Sequence, residues 1–273
     1  MNSEAADALS PSGTRFLQVG DVRLEMLEKG EGRPLLLLHG MDGVEALAPL
    51  IDRLSATYRV FAPSHPGFGG SDLPRSFSTV DDLAYFYLDL LAQLDLRDVV
   101  LAGFSFGGWI AAEMLVKNNE RIALSVLGAP FGIETADRKT RRVLDIFVQD
   151  GRTVEARSQV TPVPKLDLSA LPEEVLERRV RNAEATMLFG WSPYMCNPKL
   201  RHRLHRVTTP TLVLWGEGDA IASLEYGRDY AALIPGAGFE TIEECGHRIY
   251  VDCPDVAASS IDNFVQRAIA AAV

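Results

Sequence analysis

One serine in this chain has the sequence surroundings of a nucleophile. Ser105 lies in LAGFSFGGWIAAEML, residues 101–115, with Gly103 before it and Gly107 after it in Gly-x-Ser-x-Gly spacing. An apolar, strand-like run precedes the motif and a helical pattern follows at once, which predicts a sharp turn that raises the hydroxyl above a sheet. A Cβ at either glycine would crowd the neighbouring strand or helix. The plainer interpretation is a serine that only caps the helix.

A serine hydroxyl is a weak nucleophile and needs a general base, which a carboxylate must orient. Among the five histidines, His247 is the candidate base because it follows the last predicted strand. In a doubly wound sheet that loop reaches the same edge as the Ser105 turn, where strands end and ligands bind. The other histidines are expected to shape loops or to lie on a solvated, arginine-rich surface: His39, His65, His202 and His205.

The carboxylate is expected on another loop at the same edge of the sheet. Asp219 follows a predicted strand that ends near Trp215, so it is the candidate that would orient His247. It could instead cap the helix that begins near Ser223. Two other carboxylates remain open at this stage: Glu217 and Glu134.

Strand and helix signals alternate along the chain and must position these side chains. Short apolar runs typical of buried strands alternate with segments of helical periodicity. This alternation predicts a mostly parallel sheet with helices on both faces. The predicted strands cover residues 16–30 as a hairpin, 34–40, 58–64, 98–104, 123–130, 209–219 and 238–247, and the predicted helices 78–94, 106–117 and 254–271.

One long block interrupts the alternation. Residues 131–207 contain helical segments, several prolines and no convincing strand, so they predict a helical cap inserted into one domain. The core of that domain is then formed by residues 15–130 and 208–273. Residues 1–14 are acidic, lack an apolar stretch and are expected to be a flexible tail.

The candidate catalytic residues also lie in an informative order. Ser105, Asp219 and His247 follow one another as expected for an α/β-hydrolase, and the chain resembles that superfamily from about residue 15 to 271. HGMDG, residues 39–43, resembles the family's His-Gly oxyanion loop, and SHPGFGGSD, residues 64–72, resembles its Pro-Gly-x-Gly-x-Ser loop.

The resemblance implies a fold, a site and an activity. It implies a doubly wound, mostly parallel α/β sheet with an inserted helical cap, and an oxyanion hole formed by the backbone N–H groups of Met41 and Phe106. It implies a serine hydrolase that needs neither cofactor nor metal. We expect it to cleave a carboxylic ester or lactone through an acyl-enzyme on Ser105.

Two alternatives to an esterase stay open. The family members that open epoxides or cleave carbon–halogen bonds carry an aspartate nucleophile. The serine at position 105 therefore argues against both activities for this chain. The ring-cleavage branch, which hydrolyses carbon–carbon bonds in dienoic acids, typically has more glycine and proline after His-Gly and often a tryptophan after the catalytic histidine. HGMDG and GHRIY depart from that pattern, so carbon–carbon bond hydrolysis is the first alternative rather than the main expectation. The second is a ligand receptor on the same fold.

Composition limits the partners of this chain. Its 273 residues carry 27 Lys and Arg against 37 Asp and Glu, a net charge of −10, with no long basic stretch. We therefore expect a small-molecule substrate and neither nucleic acid nor a membrane as partner. Three cysteines without CxxC spacing fit reduced thiols. No secretory signal and no apolar run near about 18 residues is present, so the prediction is a cytoplasmic protein of open oligomeric state.

The predicted cap carries candidate substrate contacts. Met187, Trp191 and Tyr194, in MLFGWSPYM, would line a pocket over the serine or form the cap's own small core. The basic run DRKTRR, residues 137–142, could bind a carboxylate, although a solvated helix face is its more ordinary role.

Overall fold

Eight strands form one sheet in which all pairings except the first two are parallel. The computed structural model describes residues 13–134, 142–162 and 167–271. The strand order β1-β2-β4-β3-β5-β6-β7-β8 confirms the predicted mostly parallel, doubly wound sheet. The strands are β1 (Thr14–Val19), β2 (Val22–Lys29), β3 (Arg33–Leu38), β4 (Tyr58–Pro63), β5 (Val99–Phe104), β6 (Ile122–Gly128), β7 (Thr211–Gly216) and β8 (Gly238–Ile242).

Helices cover both faces of this sheet, and most follow the sequence prediction. The closing helix has the predicted bounds, and the helix Val80–Gln93 begins at a capping box in which the Thr79 and Asp82 side chains each accept from the other residue's backbone N–H. The sequence does not predict two short helices, Ala48–Leu54 and Ile249–Asp252, because they are too short to show a period. The helices are α1 (Ala48–Leu54), α2 (Val80–Gln93), α3 (Phe106–Lys117), α4 (Gly151–Ser158), α5 (Glu173–Gly190), α6 (Leu224–Ala232), α7 (Ile249–Asp252) and α8 (Pro254–Ala271).

The central strands β3 and β5 form the middle of the core. Every residue of β5 is buried, and Leu35 to Leu38 of β3 have no exposed surface. Strands buried on both faces read as continuous apolar runs, which is the pattern that predicted them. Because the parallel strands end at one edge of the sheet, the loops after β3, β5, β7 and β8 come together there.

Residues 131–207, which lie between β6 and β7, are called the inserted segment below. Its described part contains α4, α5, short 3-10 turns and two isolated bridges. Helix α5 packs onto the core, because the Arg178 guanidinium donates to both carboxylate oxygens of Glu25 in β2 at 3.0 and 2.8 Å. The Asn182 side-chain oxygen accepts from the Gly69 N–H at 2.9 Å. These contacts place α5 over the loop that follows β4, at the edge where the parallel strands end.

The predicted tail, residues 1–14, lies almost wholly outside the described residues. Only Gly13 and Thr14 are described, and Thr14 already begins β1 opposite Leu27. Among the described helices, none combines the length and the apolar character that crossing a membrane requires.

Candidate active site

Ser105 occupies a strained turn between β5 and α3. Its φ of 54° and ψ of −114° lie in a region that residues with a side chain rarely adopt. Its N–H donates to the Gly128 carbonyl at 2.8 Å, which anchors the turn to β6. A side-chain carbon at Gly107 would overlap the Leu38 carbonyl oxygen, and one at Gly103 would overlap the backbone of Gly107. Glycine is therefore required at both flanks because backbone approaches backbone there.

Three side chains from different loops form one hydrogen-bonded chain. Ser105 Oγ lies 2.9 Å from His247 Nε2, and His247 Nδ1 lies 2.8 Å from Asp219 Oδ2. The side chains of His247 and Asp219 are 3% and 1% exposed, so water competes little for these bonds. A carboxylate at Nδ1 fixes the proton on that nitrogen and leaves Nε2 as an acceptor facing the hydroxyl. The arrangement can therefore remove a proton from Ser105.

Asp219 combines two roles that the sequence left as alternatives. Its Oδ1 accepts from the N–H groups of Ile221 and Ala222, each at 2.8 Å, while Oδ2 faces His247. The turn bonds thus hold the carboxylate that orients the imidazole. Of the two other candidate carboxylates, Glu217 is exposed and accepts from the Thr241 hydroxyl. The structure brings Asp219, rather than Glu217 or Glu134, to His247.

His39 and His65 lie buried beside the site and hold its loops. Their rings stack with centroids 3.7 Å apart. His39 Nε2 accepts from the His65 N–H at 3.0 Å, so its proton is on Nδ1, 2.5 Å from the Gly40 carbonyl oxygen. His65 Nε2 donates to the His39 carbonyl at 2.9 Å, and His65 Nδ1 accepts from the Tyr87 hydroxyl at 2.5 Å. Burial lowers the pKa of His39 to about 4 and that of His65 well below its usual range. Both rings are therefore neutral.

The loop after β3 lies beside the serine. Because β3 pairs with β5 up to Leu38 and Gly103, the residues that follow these two strands emerge side by side. A Cβ built on Gly40 would lie 3.4 Å from the Ser105 Cβ. The Phe106 N–H is the first amide of α3, where a helix offers no intrahelical acceptor. Two backbone segments, the loop after β3 and the first turn of α3, thus border the serine. That the N–H groups of Met41 and Phe106 form an oxyanion hole stays a prediction.

The sequence reasoning missed a contact between Asp42 and the residues after His247. Asp42 Oδ1 accepts from Arg248 Nη2 at 2.5 Å, and Asp42 Oδ2 accepts from the Tyr250 hydroxyl at 2.9 Å. In the sequence, HGMDG and GHRIY appear only as separate departures from the ring-cleavage pattern. Their charge is the signal that could have linked them, because Asp42 is negatively charged and Arg248 is positively charged. In the structure the two departures form one ion pair.

A cavity of about 370 Å³ lies next to the loop after β3. Helices α4 and α5 of the inserted segment form its other walls, and its lining includes Met41, Asp42, Phe147, Arg179, Met187 and Arg248. Its lining combines apolar side chains with two arginines, Arg179 and Arg248, and two carboxylates, Asp42 and Glu155, and its Met41 and Arg248 directly follow Gly40 and His247 in the chain. A small molecule with an apolar body and a polar or charged group suits such a lining.

The three candidate contacts of the predicted cap have different surroundings. Met187 lines the cavity. Trp191 is 57% exposed and packs against Phe147, with ring centroids 5.4 Å apart, so it supports the wall from outside. The Tyr194 hydroxyl accepts from the Ile146 N–H at 2.9 Å, which ties the chain before α4 in place.

Two further expectations concern the basic run and metals. Of DRKTRR, residues 137–141 lie outside the described residues, and Arg142 pairs with Asp229 at 2.6 Å. Within the described ranges no group of His, Cys, Asp and Glu side chains is arranged to hold a metal ion.

Comparison with known proteins gives one family and several distant relatives. The model of the family described as "Alpha/beta hydrolase family" matches residues 35–259. The chain is 27% identical to a 2-hydroxymuconate semialdehyde hydrolase of Pseudomonas sp. (strain CF600), over 97% of this chain and 98% of that one. It is 26% identical to a pimeloyl-[acyl-carrier protein] methyl ester esterase of Aliivibrio salmonicida (strain LFI1238), over 87% and 94%.

A solved structure of a meta-cleavage product hydrolase superposes with a TM-score of 0.76. The match covers 94% of this chain and 100% of that one, at 19% identity. At this identity the likeness describes the fold alone.

Proposed function

The chain belongs to the alpha/beta hydrolase family, and on that premise we propose that it is a serine hydrolase that cleaves a carbon–carbon bond next to a carbonyl group in a small unsaturated acid. The observation that carries the serine-hydrolase part of the proposal is the hydrogen-bonded chain from Ser105 through His247 to Asp219. A buried nucleophile, base and orienting carboxylate in this geometry serve attack on a carbonyl carbon.

The proposed reaction begins with Ser105. Its oxygen attacks the substrate carbonyl while His247 Nε2 takes the hydroxyl proton, and Asp219 stabilises the resulting imidazolium. The new oxyanion accepts from the N–H groups of Met41 and Phe106. The carbon–carbon bond then breaks, its electron pair leaves with the departing carbon, and His247 returns the proton to that fragment. Water activated by His247 hydrolyses the acyl-enzyme and frees Ser105.

The choice of bond rests on the relatives and on the cavity. Four similar proteins are hydrolases of 2-hydroxymuconate semialdehyde or of 2-hydroxy-6-oxononadienedioate and its triene analogue. Carbon is a poor leaving group unless its electron pair is delocalised, so the substrate must be conjugated. Arg179 gives the cavity a cation that suits the carboxylate of such an acid. These points favour the carbon–carbon bond over the ester that the sequence alone favoured.

Ester hydrolysis is the second candidate. The esterase relative supports it, and so does the Asp42–Arg248 pair, which replaces the glycine, proline and tryptophan typical of the ring-cleavage branch. The Ser105, His247 and Asp219 machinery serves both reactions, because each passes through an acyl-enzyme. The inserted segment is proposed to act as a helical cap that selects between them, since α4 and α5 form the walls of the cavity.

The test compares two substrates on one enzyme. Purified protein is given 2-hydroxymuconate semialdehyde and, separately, p-nitrophenyl butyrate, and the products are identified by mass spectrometry. We expect a higher kcat/KM for the conjugated acid and loss of both activities in Ser105→Ala. A higher kcat/KM for the ester would favour the second candidate. Neither reaction above the Ser105→Ala background would favour a receptor.

A further inference from the structure

The residue after Met41 is fixed from three directions. The Asp42 carboxylate accepts from Arg248 and from Tyr250, and the Asp42 carbonyl accepts from Asn182 Nδ2 at 3.2 Å. The first two partners follow His247 in the chain, and the third comes from α5. Asp42 therefore lies where the oxyanion loop, the histidine loop and the inserted segment meet.

Arg248 connects the same three parts from the other side. It is the residue directly after His247, and its N–H donates to the Ser158 carbonyl at the end of α4 at 2.8 Å. Its guanidinium pairs with Asp42 and lies 4.0 Å from Glu155 of α4. The Arg248 and Asp42 side chains are only 18% and 28% exposed, so the pair is shielded enough to constrain geometry.

Tyr250 fixes the distance between the two loops. Its side chain is 1% exposed, and a Cβ built on Gly40 would lie 2.8 Å from its hydroxyl oxygen. The hydroxyl thus fills the space beside Gly40 while it donates to Asp42. A shift of the loop after β3 relative to the histidine loop would break this bond and the ion pair together.

We propose that Asp42 and Arg248 are positioning residues that hold the Met41 N–H and the His247 imidazole at fixed distances from Ser105. The inference rests on the proposed function, since it assigns Met41 an oxyanion and His247 a proton. Neither side chain is required to touch the substrate. The pair acts by keeping an oxyanion donor and a base, carried on separate loops, at the distances that the transition state needs.

The expected effect of breaking the pair falls on turnover rather than on binding. Asp42→Asn keeps the shape and removes the charge that holds Arg248. An oxyanion donor displaced rather than removed should lower kcat by about 10- to 100-fold, with KM for p-nitrophenyl butyrate changed less than about threefold. Arg248→Gln should do the same, and the double variant should lose little more than either single one.

A transition-state analogue separates positioning from stability. Phenylboronic acid forms a tetrahedral adduct on a serine, with one oxygen where the oxyanion would lie. Its Ki should rise in Asp42→Asn by the same factor by which kcat/KM falls. The matched control is Glu28→Gln on β2, which removes the ion pairs of a similarly buried carboxylate with Arg15, at 2.7 Å, and with Arg59, away from the strand-end loops. Glu28→Gln should lower the melting temperature without changing kcat or Ki.

Each other outcome overturns the inference in a distinct way. A lower melting temperature with unchanged kcat and Ki in Asp42→Asn would make the pair purely structural, like the Glu28 control. A rise in KM alone would make Asp42 a substrate contact. If Ser105→Ala is inactive while Asp42→Asn keeps wild-type kcat, only this inference fails. If Ser105→Ala keeps its activity, the proposed function fails as well.

Discussion

Lowering the pH should destabilise the fold through His39, by an amount that its burial sets. The imidazole is neutral and donates from Nδ1 while accepting at Nε2, so protonation would break the bond from the His65 N–H. Its pKa is lowered by burial from 6.5 to about 4. Between these values the unfolded chain binds a proton that the folded protein does not, so the free energy of unfolding falls as the pH falls.

The size of this effect follows from the same two values. From about pH 7 to about pH 5, a group with a pKa of 6.5 unfolded and about 4 folded removes about 2 kcal/mol from the free energy of unfolding. His65, whose pKa burial also lowers, adds to the loss in the same direction. Carboxylates with lowered pKa values, such as Glu25, add mainly below this range, because their unfolded pKa is near 4.5.

Urea unfolding followed by tryptophan fluorescence at about pH 7, 6 and 5 measures the loss. The exposed His202 offers a matched control, and His202→Gln should keep the wild-type pH dependence. His39→Asn should show a shallower dependence, whatever its absolute stability. Should that variant not fold, NMR titration of the wild-type ring replaces it, and His39 should stay neutral at pH 5. A free energy of unfolding that is flat between pH 7 and 5 would refute the reasoning.

Two substitutions test the roles assigned around the serine. Asp219→Asn should lower kcat by about 10⁴, because the imidazole loses its orienting charge, whereas Glu134→Gln should leave kcat nearly unchanged; the reverse outcome in steady-state assays would move the acid to Glu134. Arg179→Met should raise KM for 2-hydroxymuconate semialdehyde about tenfold, the scale of one charged hydrogen bond that is partly screened, and should leave KM for p-nitrophenyl butyrate unchanged. Equal effects on both substrates would remove Arg179 from carboxylate binding.

The sequence predicted the parts of the fold in which local pattern and tertiary structure agree. The apolar runs of β3 and β5 are buried on both faces, and α8 begins at Pro254 and carries one apolar face. Helices α1 and α7 were missed because seven and four residues span too few turns to show a period. Their formation depends on packing that no local pattern records.

The candidate site likewise has features that the sequence predicts and features that only the structure shows. Gly103 and Gly107 could be interpreted from sequence because backbone contacts demand glycine there. The pairing of Asp42 with Arg248 joins residues 206 positions apart, and only the meeting of two strand-end loops brings them together. Without that geometry, each residue appears only as a departure from a family pattern.

Covalent trapping on Ser105 tests the central claim most directly. The protein is mixed with p-nitrophenyl butyrate, quenched in acid within the first turnovers and examined by intact and peptide mass spectrometry. The account predicts one butyryl group on the peptide that contains Ser105. It predicts no such adduct in Ser105→Ala, which should also lose activity by roughly 10⁴- to 10⁶-fold. A butyryl group on another residue, or a Ser105→Ala variant that keeps more than about a tenth of wild-type turnover, would contradict it.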